Sequence, residues 1–116
     1  MSTDLKQLQA ELRKFAQDRD WDQFHSPKNL ATALSVEAAE LLEHFQWLTD
    51  EQSRTLPQER LDKVGEEVAD VLLYLLQLAD KLGIDPIEAA NYKLSRNAEK
   101  YPVDRAKGSS KKYTDL

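Results

Sequence analysis

Residues 29–47 read NLATALSVEAAELLEHFQW and residues 64–82 read VGEEVADVLLYLLQLADKL. The acids set among the apolar residues of these two stretches decide how the chain is read. At about 100° per residue, Leu30, Ala33, Leu34, Leu41 and Leu48 gather on one helical stripe, and Glu37 and Glu40 fall inside it. In the second stretch Val64, Val68, Val71, Leu75 and Leu82 define the stripe. Glu67 lies at its edge and Glu66 roughly on the opposite side, so Glu67 is the better candidate ligand. Asp70 stands one turn beyond Glu67, as Glu40 does beyond Glu37. Each helix therefore offers two carboxylates on one face, and packing the helices side by side predicts a cluster of four.

Burying an unpaired carboxylate costs several kcal/mol, and mutual repulsion adds to that cost, so a positive charge must neutralise the cluster in the working state. Helix carboxylates ordinarily form salt bridges or line a wet groove. Two pairs with matched spacing on the apolar side of two helices point instead to a divalent cation bound by Glu37, Glu40, Glu67 and Asp70. An all-oxygen donor set suits magnesium, with manganese as the alternative, whereas zinc and copper favour histidine or cysteine.

Composition sets the limits. The chain has 116 residues, 41% hydrophobic and 32% charged, with no cysteine, which describes one ordinary globular domain without disulfide or thiolate chemistry. A net charge of −5 argues against polymeric nucleic acid as a partner, because a phosphate backbone demands a basic face. No apolar run approaches the ~20 residues that span a bilayer. The opening MSTDLKQLQAELRKF does not read as a secretory signal, so a cytoplasmic location is expected.

Strand-like alternation is absent and the expected class is all-α, a four-helix bundle. Thr3 or Ser2 is the expected cap of a first helix over about Asp4 to Asp18, whose Leu5, Leu8, Leu12 and Phe15 form a packing face without chemistry. RDWDQFHS is a connector. Ser26 and Pro27 then supply an N-cap and first-turn proline for a second helix reaching roughly Leu48. The polar TDEQSRTLPQE separates it from a third helix, Gln58 to Leu82, closed by Gly83. A fourth runs from Pro86 to about Tyr101, where Pro102 stops it. The expected division is a helical domain over residues 1–102 and an irregular basic tail over 103–116.

The paired E-x-x-E and E-x-x-D resemble those of the MazG-type all-α nucleoside triphosphate pyrophosphohydrolases. RDWDQFHSPKNL, ELLEHFQW, EEVADVLLYLL, the K-x-x-x-N-x-x-K-Y-P of Lys93 to Pro102 and the terminal SSKKYTDL extend the resemblance to the dCTP pyrophosphatase-like branch over nearly the whole chain. Leu12 departs from that branch, whose animal members carry a histidine there near the base, and this leaves the base preference open.

The resemblance implies hydrolysis of an NTP or dNTP, dCTP or a modified pyrimidine foremost, to a monophosphate and pyrophosphate, as nucleotide-pool house-cleaning. Glu37, Glu40, Glu67 and Asp70 match its metal-binding and catalytic positions. Lys93, Asn97, Lys100 and Tyr101, with Tyr74 one turn beyond Asp70, match positions associated with phosphates and sugar, and the tail is expected to fold over the nucleotide. Trp21 and Trp47 match the branch's aromatic positions, and Trp21, His25, Trp47, Phe24 and Phe45 are the candidates for a base pocket, since aromatic rings stack on any nucleobase. His44 is expected to pair with Glu40 on the helix surface. Family members form dimers or tetramers with sites between subunits, so a homo-oligomer is expected, a tetramer built from dimers. Two rival readings are a phosphoribosyl-ATP pyrophosphohydrolase, which lacks this aromatic set and tail, and a non-hydrolytic metal or nucleotide sensor.

Overall fold

Asp4 opens the first helix, its Oδ1 accepting the backbone N–H of Gln7 at 2.8 Å and so satisfying one of the free donors at the helix start. This is a computed structural model that describes residues 4–116. Ser2 and Thr3, the expected caps, lie outside the described residues. Helix α1 spans Leu5–Asp18, α2 Pro27–Glu43, α3 Asp50–Arg54, α4 Gln58–Lys81, α5 Pro86–Lys100 and α6 Val103–Ala106. No strand occurs among the described residues, in keeping with an all-α chain, and none of their helices is long and apolar enough to cross a membrane.

The chain divides into two compact units, Met1–Gly83 and Ile84–Leu116. In the first, α4 packs along α2 and, less extensively, against α1. Leu30 of α2 and Leu76 of α4 are each 1% exposed and anchor the core, joined by Ala16 and Ala79. Gln9 is also buried, and its Nε2 donates to the Leu76 carbonyl at 3.0 Å, so the polar group in the core is satisfied. Arg13 Nε meets Asp80 Oδ2 at 2.7 Å, and Lys81 pairs with Asp22. Both pairs tie α1 and its following turn to the end of α4. Gly83, at φ +68°, closes α4 in the left-handed conformation that glycine adopts without strain.

Two expectations need correction. Helix α2 ends at Glu43, five residues short of Leu48. The backbone keeps coiling there but tightens into turns, with Phe45 N bonded to Leu42 O at 2.8 Å and Leu48 N to Phe45 O at 2.9 Å. Arg60 Nη1 takes the His44 carbonyl at 2.9 Å, a cation placed at the negative end of the helix. The polar connector TDEQSRTLPQE carries a short helix of its own. Thr49 and Gln52 form a capping box, which starts the short helix α3.

In the second unit, Asp85 Oδ1 caps α5 by accepting from Ile87 N and Glu88 N, both at 3.0 Å. The tail, expected to be irregular, carries α6 and a 3-10 turn at Tyr113–Asp115.

Candidate active site

Packing α2 against α4 sets their acids face to face. Carboxylate oxygens of Glu37, Glu67 and Asp70 all lie within 4.8 Å of one another. Glu40, one turn beyond Glu37, is outside that trio but adjoins Glu37. Glu66 is exposed, while Glu67 is half-buried. With all the acids ionised, Glu37 Oε2 and Glu67 Oε2 are buried and have no hydrogen-bond partner, because ionised carboxylates only accept and cannot bond to each other. The Glu37 carboxyl responds by holding its proton and is pushed up to about 7. The main cause is the hydrogen bond that a protonated Glu37 makes to Glu40, followed by burial, the bond to Glu67, and the charges of Glu40 and Asp70. Buried acceptor atoms with no donor, in an all-oxygen set, fit a hard divalent cation.

Beside this cluster lies a cavity of about 360 Å³ that reaches Asp70. Its apolar wall is Leu8, Leu12 and Phe15 of α1, Leu73 of α4 and Trp21. Glu11, His25, Tyr74 and Gln77 supply the remaining polar edge. Trp21 is placed by the way α1 ends. Asp20 takes the left-handed conformation at φ +55°, and Trp21 N bonds back to Ala16 O at 2.9 Å while Asp20 N bonds to Gln17 O at 3.1 Å. This double bond-back reverses the chain. The Trp21 ring then meets Phe15 edge-on at 5.7 Å and His25 at 6.4 Å.

The structure thus gathers Glu37, Glu67, Asp70, Tyr74, Trp21 and His25 around one region of the first unit, with Glu40 alongside. It does not bring Trp47 there: Trp47 follows α2 and is 87% exposed. His44 makes no hydrogen bond or ion pair with Glu40 among the described residues; its carbonyl serves Arg60 instead. In the second unit Lys93, Asn97 and Lys100 sit on α5 with Tyr101 as its C-cap. Lys100 Nζ lies 4.9 Å from the centre of the Tyr113 ring, and Tyr101 meets Tyr113 edge-on at 6.0 Å. The sequence marks Tyr113 only as part of the terminal SSKKYTDL. The face of α1, read from its spacing as packing alone, lines the cavity through Leu8, Leu12 and Phe15. Spacing shows that a helix face is apolar without showing whether protein or ligand covers it.

A model of the MazG-like family matches residues 32–116, a span that contains both acidic pairs. The chain belongs to the MazG-like family. Over 116 residues it is 44% identical to human dCTP pyrophosphatase 1, and over 115 residues 43% identical to the mouse protein of the same name. In each case the match takes in 97% of this chain and 66% of the relative, so the chain spans just under two thirds of these curated relatives. Among solved structures, a pyrophosphatase from Archaeoglobus fulgidus superposes with a TM-score of 0.81 at 44% identity, covering 88% of this chain and 95% of that one. The fold of this chain is therefore a known one.

Proposed function

We propose that this MazG-like chain is a divalent-metal-dependent nucleoside triphosphate pyrophosphohydrolase that removes a surplus or modified dNTP, dCTP foremost, from the cytoplasmic pool. One observation carries the reading: Asp70 belongs both to the carboxylate trio and to the wall of the aromatic cavity. Phosphate chemistry and base recognition thereby meet at one residue. The names of the relatives and of the solved neighbour support the same class of reaction.

Glu37, Glu40, Glu67 and Asp70 would hold Mg2+, or Mn2+ in its place. Bound there, the ion would neutralise phosphate oxygens and make a water molecule acidic enough to attack phosphorus. Trp21, with Phe15 and His25 around it, stacks on the base and keeps water from it. Tyr74 lies one turn from Asp70, between the metal-binding acids and the base. Lys93, Asn97, Lys100 and Tyr101 are proposed for the phosphates and sugar on the strength of the family resemblance, the lysines as charge and Asn97 as a hydrogen-bonding amide.

The working enzyme is proposed to be a homo-oligomer, a tetramer assembled from dimers. Large apolar side chains remain exposed on both long helices of the first unit, among them Val36, Leu42, Val68 and Leu75. A domain this small gains much of its stability when such surface is covered.

The test is release of pyrophosphate and monophosphate from a panel of NTPs and dNTPs with Mg2+, beside Glu67→Gln and Asp70→Asn. Equimolar release of both products, abolished in the variants, is the expected result. Metal-dependent nucleotide binding without turnover on any substrate would overturn the hydrolase in favour of a sensor.

A further inference from the structure

Gln77 stands on α4 two turns beyond Asp70 and on the same side of the helix. A rise of about 1.5 Å per residue sets the two positions about 10 Å apart along the axis, close to the reach of a nucleoside from its 5′ phosphate to the far edge of its base. Gln77 lines the aromatic cavity and also the adjoining polar cavity of about 410 Å³, as Leu12 and His25 do. It is thus where the apolar wall gives way to polar groups.

The amide of Gln77 has one preferred orientation. Its Nε2 donates to the Leu73 carbonyl at 3.1 Å in a partly buried bond. Turning the amide over would set Oε1 against that carbonyl, acceptor against acceptor. The side chain therefore offers Oε1, which has no hydrogen bond among the described residues, as an acceptor, and its second Nε2 hydrogen as a donor. His25 cannot discriminate in the same way, because a neutral imidazole exchanges donor and acceptor by changing tautomer.

We propose that Gln77 is the residue that reads the base, favouring an edge in which an exocyclic amino donor stands beside a ring-nitrogen acceptor. That is the 4-aminopyrimidine pattern. The 4-keto pattern of uracil and thymine would face Oε1 with a carbonyl and the Nε2 hydrogen with a ring N–H, leaving two opposed pairs in a partly apolar pocket. The apolar wall at Leu12 stacks or excludes without reading hydrogen bonds, and among the polar groups at the cavity edge, Glu11, His25, Tyr74 and Gln77, Gln77 alone is an amide that sets an acceptor and a donor side by side. This inference rests on the nucleotide reading of the site given above.

The experiment compares kcat and KM for dCTP and dUTP in wild type, Gln77→Leu and Gln77→Glu, each checked for folding by circular dichroism. Wild type is expected to favour dCTP. In Gln77→Leu the dCTP:dUTP ratio of kcat/KM should fall at least about tenfold, the usual scale for a paired amide contact to a base, with most of the change in KM for dCTP. Gln77→Glu cannot donate to Leu73 and should also lose discrimination. Robust pyrophosphate release with an unchanged ratio in both folded variants, or a wild-type preference for dUTP, would overturn the role of Gln77 and leave the hydrolase standing. No pyrophosphate from any substrate with the wild type would overturn both.

Discussion

Glu37 on α2 and Glu67 on α4 each end, when ionised, in a buried Oε2 that nothing hydrogen-bonds, where the two helices pack against each other. The arrangement is unfavourable for the chain by itself and favourable once a cation is bound. Glu67→Gln should therefore act in opposite directions on stability and on activity. Without metal the variant should melt at or above the wild-type temperature, because one of the opposed charges is gone. With Mg2+ it should show little of the wild-type rise in Tm, and pyrophosphate release should fall at least about 100-fold. Melting curves with and without a chelator check the first part. A variant that loses stability in the chelator would show that Glu67 is held by the protein rather than for a metal.

The raised Glu37 carboxyl gives a pH dependence with a definite sign. Its value is about 7 in the folded chain against an ordinary 4.5, so between these limits the folded state binds more protons than the unfolded one. Its contribution to stability is fully present below about 4.5 and is lost as pH rises through about 7. Chelated protein should thus lose Tm between pH 5.5 and pH 8, and Glu37→Gln should flatten that fall. A Tm that rises over the interval in the wild type, relative to the variant, would contradict this account.

Leu30→Ala should remove about 2–5 kcal/mol, the range for a leucine deleted from a packed interior. Leu30 is 1% exposed, and only three other apolar residues of the described chain are as fully enclosed as the core requires: Ala16, Leu76 and Ala79. A core this small has few neighbours able to relax into the space. Denaturant unfolding of the metal-bound protein measures the loss, and a change below about 1 kcal/mol would mean that the α2–α4 contact is not what holds the unit together.

The helices were legible where a local residue dictates a local bond. Ser26 and Pro27 mark the start of α2, Gly83 the end of α4 and Pro86 the start of α5, because caps and fixed dihedrals act within one turn. The end of α2 was not legible. Phe45 and Leu48 continue its apolar spacing, yet Arg60, sixteen residues away, takes the His44 carbonyl, and no window around residue 44 contains that partner. Helix α3 could have been seen, since Thr49 and Gln52 already display a capping box. For the site, helical periodicity put Glu37, Glu67 and Asp70 on inward faces, but it could not separate Glu40 from the trio. That distinction depends on how α2 is rotated against α4. Gln77 was invisible for a related reason: its importance lies in the bond to Leu73 and in the cavity it borders, neither of which is a spacing.

Thr49→Ala tests a smaller element. Loss of the capping hydroxyl, which accepts from Gln52 N at 3.1 Å, should cost about 1 kcal/mol. The effect should appear as faster hydrogen exchange confined to α3, with Mg2+-dependent activity preserved, because none of the proposed ligands lies on that helix. Loss of activity at unchanged stability would instead bring α3 into the site.

Trp47 stands exposed on the chain that carries it although the family resemblance makes it a base-pocket candidate, and in the proposed oligomer a second copy would resolve the mismatch. Leu61, Val68, Leu72 and Leu75 are also exposed and fall within a sector of about 60° on α4; Val68 and Leu75, which spacing alone groups into the stripe beside Glu67, thus lie on an open face and not in the core. That face is apolar, continuous and free of the proposed chemistry, as a self-association surface should be. Val68→Glu should shift the protein to smaller species in sedimentation equilibrium and lower activity with it. If Trp47 serves the nucleotide of a neighbouring subunit, Trp47→Ala and Glu67→Gln, each weak or inactive alone, should regain pyrophosphate release when mixed and allowed to exchange subunits. In a mixed pair one site receives Glu67 from one chain and Trp47 from the other, and is complete. Activity that stays at the average of the two separate variants would place Trp47 outside any shared site and remove the reason for tying its exposure to assembly.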